Sequence, residues 1–240
     1  MTISGRGELT DQQRAVRRQS LSVAGATSVY GISLGALGVS SGLTVWQTCL
    51  TSLLLFSGGS QFALVGVIGG GGSAASAIAA SSLLSVRNAF YAVQLNALLR
   101  PRGLRRVPAA QITIDESTAV AVAQPEVGLA RQGFWTTGVA IYVCWNLMTL
   151  VGALAGNALG NPKNYGLDAA ASGAFLALLW PRLKDRRTVA MAIAAALVAA
   201  ALVPAIPVGL PVVAAAGVAI LVGATGPQPM PPAVDEEASS

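Results

Sequence analysis

The stretch WQTCLTSLLLFSGGSQFALVGVIGGGG, residues 46–72, decides how this chain is read. It is apolar from Trp46 to Ile68 except at Ser57-Gly58-Gly59-Ser60-Gln61, and it ends in four glycines, Gly69 to Gly72. At 1.5 Å per helical residue the flanking pieces, Trp46 to Phe56 and Phe62 to Ile68, are about 16 and 10 Å long, so neither crosses a ~30 Å hydrocarbon layer alone. The stretch is either one broken helix or a re-entrant hairpin. Glycines at the interruption free backbone N–H and carbonyl groups, which hydrocarbon tolerates only where they line a cavity or are buried in protein. Discontinuous helices offer such groups at midplane substrate sites, where a half-helix N-terminus draws a carboxylate and freed carbonyls draw an ammonium. The half-helix containing Phe62 is expected to begin here, with Ser60 placed to cap it. A zwitterionic amino acid suits such a site better than a pure cation or anion.

Working outward, the composition fits a membrane setting. Of 240 residues 53% are hydrophobic and only 10% charged, against roughly 25% charged in soluble domains. Mean hydropathy is +0.62. The expected fold is all-α, a polytopic integral membrane helical bundle of about six to seven crossings with one or two broken or re-entrant half-helices. Residues 1–20 read as a cytoplasmic basic segment, 21–223 as the transmembrane transporter domain and 224–240 as a flexible acidic tail ending in Asp235, Glu236 and Glu237. With 0 histidines, imidazole bases, Ser-His-Asp triads and histidine-ligated metals are excluded. Ser60 has no base to activate it, so no enzymatic activity is expected. Cys49 and Cys144 lie inside apolar runs as small buried hydrophobes, and no metal or cofactor is expected.

The net charge of +5 sits in clusters at the ends of apolar runs, which marks topology rather than a nucleic-acid surface. Arg14, Arg17 and Arg18 precede Leu21 to Ser41, in the manner of a signal anchor rather than a cleaved signal peptide. Arg100, Arg102, Arg105 and Arg106 follow Ala74 to Leu99, and Arg182, Lys184, Arg186 and Arg187 form a later cluster. All three clusters are expected on the cytoplasmic side. Leu21 to Ser41 then goes out and Ala74 to Leu99 comes back, so the broken segment between them does not cross, which favours the hairpin. Phe134 to Ala155 goes out and Leu167 to Pro181 returns. Val189 to Val203 and Ile206 to Gly223 complete six crossings around Pro204 and Pro207, with both termini cytoplasmic and a seventh crossing left open.

Few charges are embedded. Arg87 lies mid-run in Ser85-Val86-Arg87-Asn88-Ala89-Phe90-Tyr91, with Tyr91 one helical turn on and Asn88 beside it. A lipid-facing arginine there costs about 2.5–3.5 kcal/mol. Arg87 therefore meets either an internal carboxylate or the carboxylate of a substrate. Asp115 and Glu116 open an apolar stretch too short to cross. They read either as an N-cap with a first-turn acid, or as a partner for Arg87 beside a carboxylate that takes a proton or an ammonium. Asp168 reads as a first-turn helix acid. Gly31, Gly35, Gly38 and Gly42 share a helix face, and Gly152, Gly156 and Gly160 form a second strip that seats either a partner subunit or another helix of the chain.

At these residues the chain resembles the large subunit of AzlC/BrnF-type branched-chain amino acid exporters. Gly31-Ile32-Ser33-Leu34-Gly35-Ala36 resembles the family's first-helix pattern, and Ser57-Gly58-Gly59-Ser60-Gln61-Phe62-Ala63 its most specific block. Arg87-Asn88 with Tyr91, the pair Asp115-Glu116, and Leu167-Asp168 followed by Phe175-Leu176-Ala177-Leu178-Leu179 are similar to later motifs. The departures are Ser85, where many members have Asn, and Asn88, where many have His. The resemblance spans about Gly25 to Gly223. It implies proton-coupled export of valine, leucine, isoleucine and methionine across the bilayer of a bacterial plasma membrane, together with a small AzlD/BrnE-type membrane subunit. The competing readings are a non-transporting assembly or regulatory subunit, and a passive channel for small zwitterions.

Overall fold

The computed structural model describes residues 4–158, 176, 179, 180, 183–206 and 210–225, and every regular element among them is helical. In chain order these are α1 (Ser4–Ser28), α2 (Tyr30–Ser40), α3 (Val45–Leu54), α4 (Gly58–Gly69), α5 (Ala74–Leu99), α6 (Arg106–Gln111), α7 (Asp115–Val122), α8 (Val127–Ala158), α9 (Arg186–Leu202) and α10 (Leu210–Thr225). Among the described residues two stretches, Thr10–Ser40 and Val127–Ala158, are long and apolar enough to cross a membrane by length and composition. The first begins earlier than Leu21: Arg14, Arg17 and Arg18 lie on α1 itself, and α1 leads into α2 through Val29, whose φ of −57° and ψ of −33° keep it helical. Gly160, Asp168 and most of Leu167 to Pro181 lie outside the described residues.

Helix α8 is the spine, with α1, α2, α3 and α7 packed along it. Its exposed stripe is aliphatic: Val139, Val143, Leu147, Leu150 and Leu154 recur every three or four residues. Its buried face carries Thr137, Thr149, Gly152 and Gly156 among larger side chains. Branched aliphatics outward and small or hydroxylated residues inward is the arrangement of a membrane helix, where close backbone approach and interhelical hydrogen bonds replace hydrophobic collapse. Ser52 Oγ donates to Thr149 Oγ1 at 3.4 Å in the buried α3–α8 contact.

The glycine strips interlock. A methyl at Gly31 would lie 2.7 Å from the Trp145 carbonyl oxygen, and one at Gly35 would collide with the Thr149 carbonyl oxygen. Reciprocally, a methyl at Gly152 would collide with the Ile32 carbonyl oxygen, and one at Gly156 would lie 3.1 Å from Ala36 Cα. Gly152 and Gly156 on α8 are thus filled by α2. Gly38 packs on Thr48 of α3. Gly42 is on no contact: its φ of +90°, with nothing within 4 Å of a Cβ, makes it the turn after α2.

These contacts run in register, 31 beside 145 and 35 beside 149, so α2 and α8 are parallel. They also fix the path of the broken segment. Thr48, near the start of α3, lies against Gly38, and Gly69, at the end of α4, lies against Ser41, both at the C-terminal end of α2. Gly58, at the start of α4, lies against Trp145, the residue that also meets Gly31. The segment therefore enters beside the end of α2, turns at its break and leaves where it entered. Gly31 is about 14 Å from the end of α2, close to half the ~30 Å hydrocarbon thickness. The two arms splay: α3 packs on α8 while α4 packs on α5.

A second, shorter element turns back from the opposite end. Ile112 packs on Gly138 and Val120 on Gly133, so α7 runs antiparallel to α8, back toward the arginine loop. The long helix α5 links the two ends: Ala77 and Ala80 cluster with Val67 at one end, and Leu95 and Leu99 with Phe134 at the other. Helices α9 and α10 pair and touch α5 through α10. Asp185 caps α9 by accepting from the Thr188 amide at 2.8 Å, and the Thr188 hydrogen bonds hold its carboxyl below the ordinary range.

Candidate functional site

The site begins at the break. Leu55 (φ −98°, ψ 68°) ends α3, and Ser57 (φ −159°, ψ 99°) occupies the N-cap of α4. Helix α4 starts at Gly58, ahead of the expected start at Phe62, and Ser60 lies inside its first turn rather than capping it. The Ser57 side chain caps no amide: its Oγ is 3.1 Å from Ser60 Oγ, and Ser85 Oγ of α5 reaches Ser60 Oγ at 2.8 Å. The first intrahelical bond runs from the Gln61 amide to the Ser57 carbonyl at 3.0 Å, which leaves the amides of Gly58, Gly59 and Ser60 ahead of the ladder.

The carbonyl side of the break is closed. Gln61 Nε2 donates to the Ser52 carbonyl at 3.1 Å, Gln111 Nε2 to those of Leu53 and Leu54 at 2.8 and 3.3 Å, and Tyr142 Oη to that of Leu53 at 3.3 Å. Three side chains from α4, α6 and α8 thus satisfy the end of α3, as burial in a membrane requires. The carbonyls of Ser52, Leu53 and Leu54 meet Gln61, Gln111 and Tyr142 of this chain, where the sequence alone offers freed carbonyls to an ammonium. Gln61, 1% exposed, serves this closure and is not turned to the cavity wall.

From the other side α7 brings Asp115 and Glu116. Ser117 Oγ accepts from the Ile114 amide at 3.1 Å and donates to the Ile112 carbonyl at 2.6 Å, fastening the turn. Ile114 is the N-cap, so Asp115 is the first helical residue and not the cap. Its Oδ2 accepts from Arg87 Nη1 at 2.8 Å. The embedded arginine has an internal carboxylate, and the pair remains partly open, with 36% and 20% of the two side chains exposed.

Between these groups lies a cavity of about 320 Å³. Ser57, Gly58 and Gly59 of α4, Arg87 of α5, and Asp115 and Glu116 of α7 form its polar lining. Phe56, Ile114, Ile141 and Trp145 form its apolar side, with Tyr30 and Leu179 completing the wall. Two helix N-termini therefore open on one space from opposite directions, each contributing roughly half a positive charge. The two glycines keep that space. A methyl at Gly58 would lie 3.3 Å from Trp145 Cη2, and one at Gly59 would lie 3.4 Å from Arg87 Nη2. Arg87 Nε and Trp145 Nε1 are buried without hydrogen-bond partners. Of the residues singled out from sequence, Ser60, Gln61, Asn88 and Tyr91 do not line this cavity. Ser60 and Gln61 support it from behind, and Asn88 Oδ1 is buried without a partner on α5.

Sequence reasoning missed Gln111, Tyr142 and Trp145. Trp145 and Tyr142 sit three residues apart on one turn of α8, a spacing visible in the sequence but without meaning until the break faces it. Gln111 is an isolated amide four residues before Asp115, and nothing local ties it to the end of α3.

A family model described as AzlC protein matches residues 22–159. Comparison with curated proteins and with solved structures returned no match. The matched span covers more than half of the 240 residues and holds every cavity residue named above except Leu179. The chain belongs to the AzlC family, whose members are membrane proteins associated with branched-chain amino acid transport.

Proposed function

We propose that this chain is the large subunit of a secondary transporter that exports valine, leucine, isoleucine and methionine, coupled to protons and working with a small AzlD/BrnE-type membrane subunit in a bacterial plasma membrane. One observation carries the reading: the cavity joins two half-helix N-termini, a guanidinium and two carboxylates to an apolar wall. Its volume of about 320 Å³ falls at the small end of ligand pockets, which run from about 300 to 1,000 Å³. The amides of Gly58 and Gly59, with Arg87 and Trp145 Nε1, are the donors for a substrate carboxylate. Asp115 and Glu116 take the ammonium. A branched aliphatic side chain packs against Phe56, Ile114 and Ile141, where each buried methylene is worth about 0.8 kcal/mol. Polar helix breaks argue against a purely structural subunit, which has no use for them.

The test is efflux from cells loaded with leucine- or valine-containing dipeptides, comparing this chain alone, the small subunit alone and the two together. Co-expression is expected to raise efflux, and an uncoupler to reduce it. Unchanged efflux on co-expression refutes the exporter, and downhill flux indifferent to uncoupler supports a passive channel instead.

A further inference from the structure

A second cavity elsewhere in the molecule is larger than the first. It lies at the end of α5 that bears the arginine loop, encloses about 1,080 Å³, and is ringed by Arg100, Arg102, Arg105, Arg106 and Arg131. Among the described residues no acidic side chain lines it. Among the described residues no ion pair engages any of the five. The one bond recorded for their guanidinium groups runs from Arg106 Nε to the Pro101 carbonyl, at 3.2 Å. Its inner wall is apolar, built from Leu95, Leu99, Ala109 and Phe134, all buried, with Trp135 at the side.

Two features fix the occupant. Five guanidinium groups around an opening without a carboxylate call for a polyanionic group, and guanidinium matches phosphate through paired N–H donors. Beside them the surface is greasy: Leu104 is 90% exposed, Val107 71% and Val93 73%. Leu104 and Val107 flank Arg105 and Arg106 in a short helical loop, the pattern of a segment lying in a membrane interface. A soluble anion or an acidic peptide would use the arginines but not the apolar wall behind them.

We propose that this groove binds an anionic phospholipid, its phosphate held by the arginine ring and its acyl chains running along the wall between α5 and α8. Basic pockets between membrane helices hold phospholipid headgroups in this way. The inner wall is continuous with the α7 packing face: Ala109, Ile112 and Ala121 belong to the same cluster as Leu95, Leu99 and Phe134. A lipid here therefore braces the element that carries Asp115.

The test uses the full chain purified in a neutral detergent, titrated with phosphatidylglycerol, phosphatidylcholine or inorganic phosphate while thermal unfolding is followed. Native mass spectrometry of the same sample reads retained lipid. Phosphatidylglycerol is expected to raise Tm saturably and to survive as a bound mass, while phosphatidylcholine and phosphate do neither. Arg131→Gln, on α8 and outside the topology loop, is expected to weaken the titration about fivefold, as one interfacial charge is worth. Arg105→Lys keeps the charge that orients the chain and reports the loss of paired donors. Equal responses to the two lipids, a full response to phosphate alone, or wild-type titrations in both variants overturn the proposal. A chain lacking residues 226–240 that alone gains the phosphatidylglycerol response also overturns it, by making the acidic tail the occupant.

Discussion

The Arg87–Asp115 pair is the sharpest place to test the site. The perturbation is a cycle of Arg87→Gln, Asp115→Asn and the double variant, each close to its parent in size. At 2.8 Å with 36% and 20% of the side chains exposed, the pair is neither a surface bridge nor fully desolvated. Two charge centres about 4 Å apart attract by about 4 kcal/mol at an effective dielectric of 20. Desolvation offsets part of that, and hydrogen bonds to charged groups net about 1.5–3 kcal/mol. Each single variant should therefore lose about 2 kcal/mol, or roughly 4–8 °C in Tm for a chain of this size. The double variant should lose less than the sum by about 1–2 kcal/mol, because the second substitution removes a charge already stranded. The assay is thermal unfolding in detergent, paired with leucine efflux from cells. Additive losses, meaning coupling below about 0.5 kcal/mol, refute the pair as a tie between α5 and α7. Wild-type efflux from a folded Arg87→Gln variant refutes its place at the substrate.

Three further substitutions probe the frame and the cavity. Gly35→Ala drives a methyl into the Thr149 carbonyl and should cost 1–3 kcal/mol or more by overpacking, about that much in unfolding free energy. Gly25→Ala on α1 meets nothing within 4 Å and should stabilise by up to about 1 kcal/mol. A reversed order in unfolding assays refutes the α2–α8 interlock. Gln61→Ala leaves the Ser52 carbonyl of α3 without its donor and should lower stability by about 1–3 kcal/mol, and Gln61→Glu, which also lacks the N–H, should not rescue it. Gly59→Ala sets a methyl 3.4 Å from Arg87 Nη2 and should slow efflux severalfold with little change in Tm, a split that a merely structural glycine would not produce.

How far the sequence reached depends on range. Helix α5 was legible with its ends at Ala74 and Leu99 as an apolar run followed by an arginine cluster, and in the structure Ser73 caps it, its Oγ accepting from the Ser76 amide at 3.1 Å. The turning back of residues 46–68 was legible through the charge parity of the arginine loops, a whole-chain constraint carried in short segments. The register 31 to 145 and 35 to 149 was not, since a strip of glycines says that something approaches closely and is silent on what. The internal partners at the break were out of local view for a related reason. Local reasoning assigns freed carbonyls to a ligand, but Gln111 and Tyr142 reach them from 58 and 89 residues away. Ser60 looked like a cap because it precedes Phe62, yet Gly58 and Gly59 enter the helix once the amide of Gln61 finds the carbonyl of Ser57.

The closure of α3 has an electrostatic consequence for what the cavity selects. With its carbonyl end satisfied by side chains, the cavity is left with two helix N-termini of about half a positive charge each, the guanidinium of Arg87, and the carboxylates of Asp115 and Glu116. With both acids ionised these contributions sum to about zero. A net cation or anion brought there stays uncompensated in a low-dielectric setting, whereas a zwitterion adds no net charge and meets both signs. The amide of leucine lacks the carboxylate, and its 2-oxo acid lacks the ammonium, though both keep the side chain that fits beside Phe56 and Ile141. Neither should compete with labelled leucine in efflux or binding, and valine, isoleucine and methionine should. Competition by leucinamide at the strength of leucine would mean that the α4 and α7 N-termini do not read the carboxylate, and the charge argument for this cavity would fall with it.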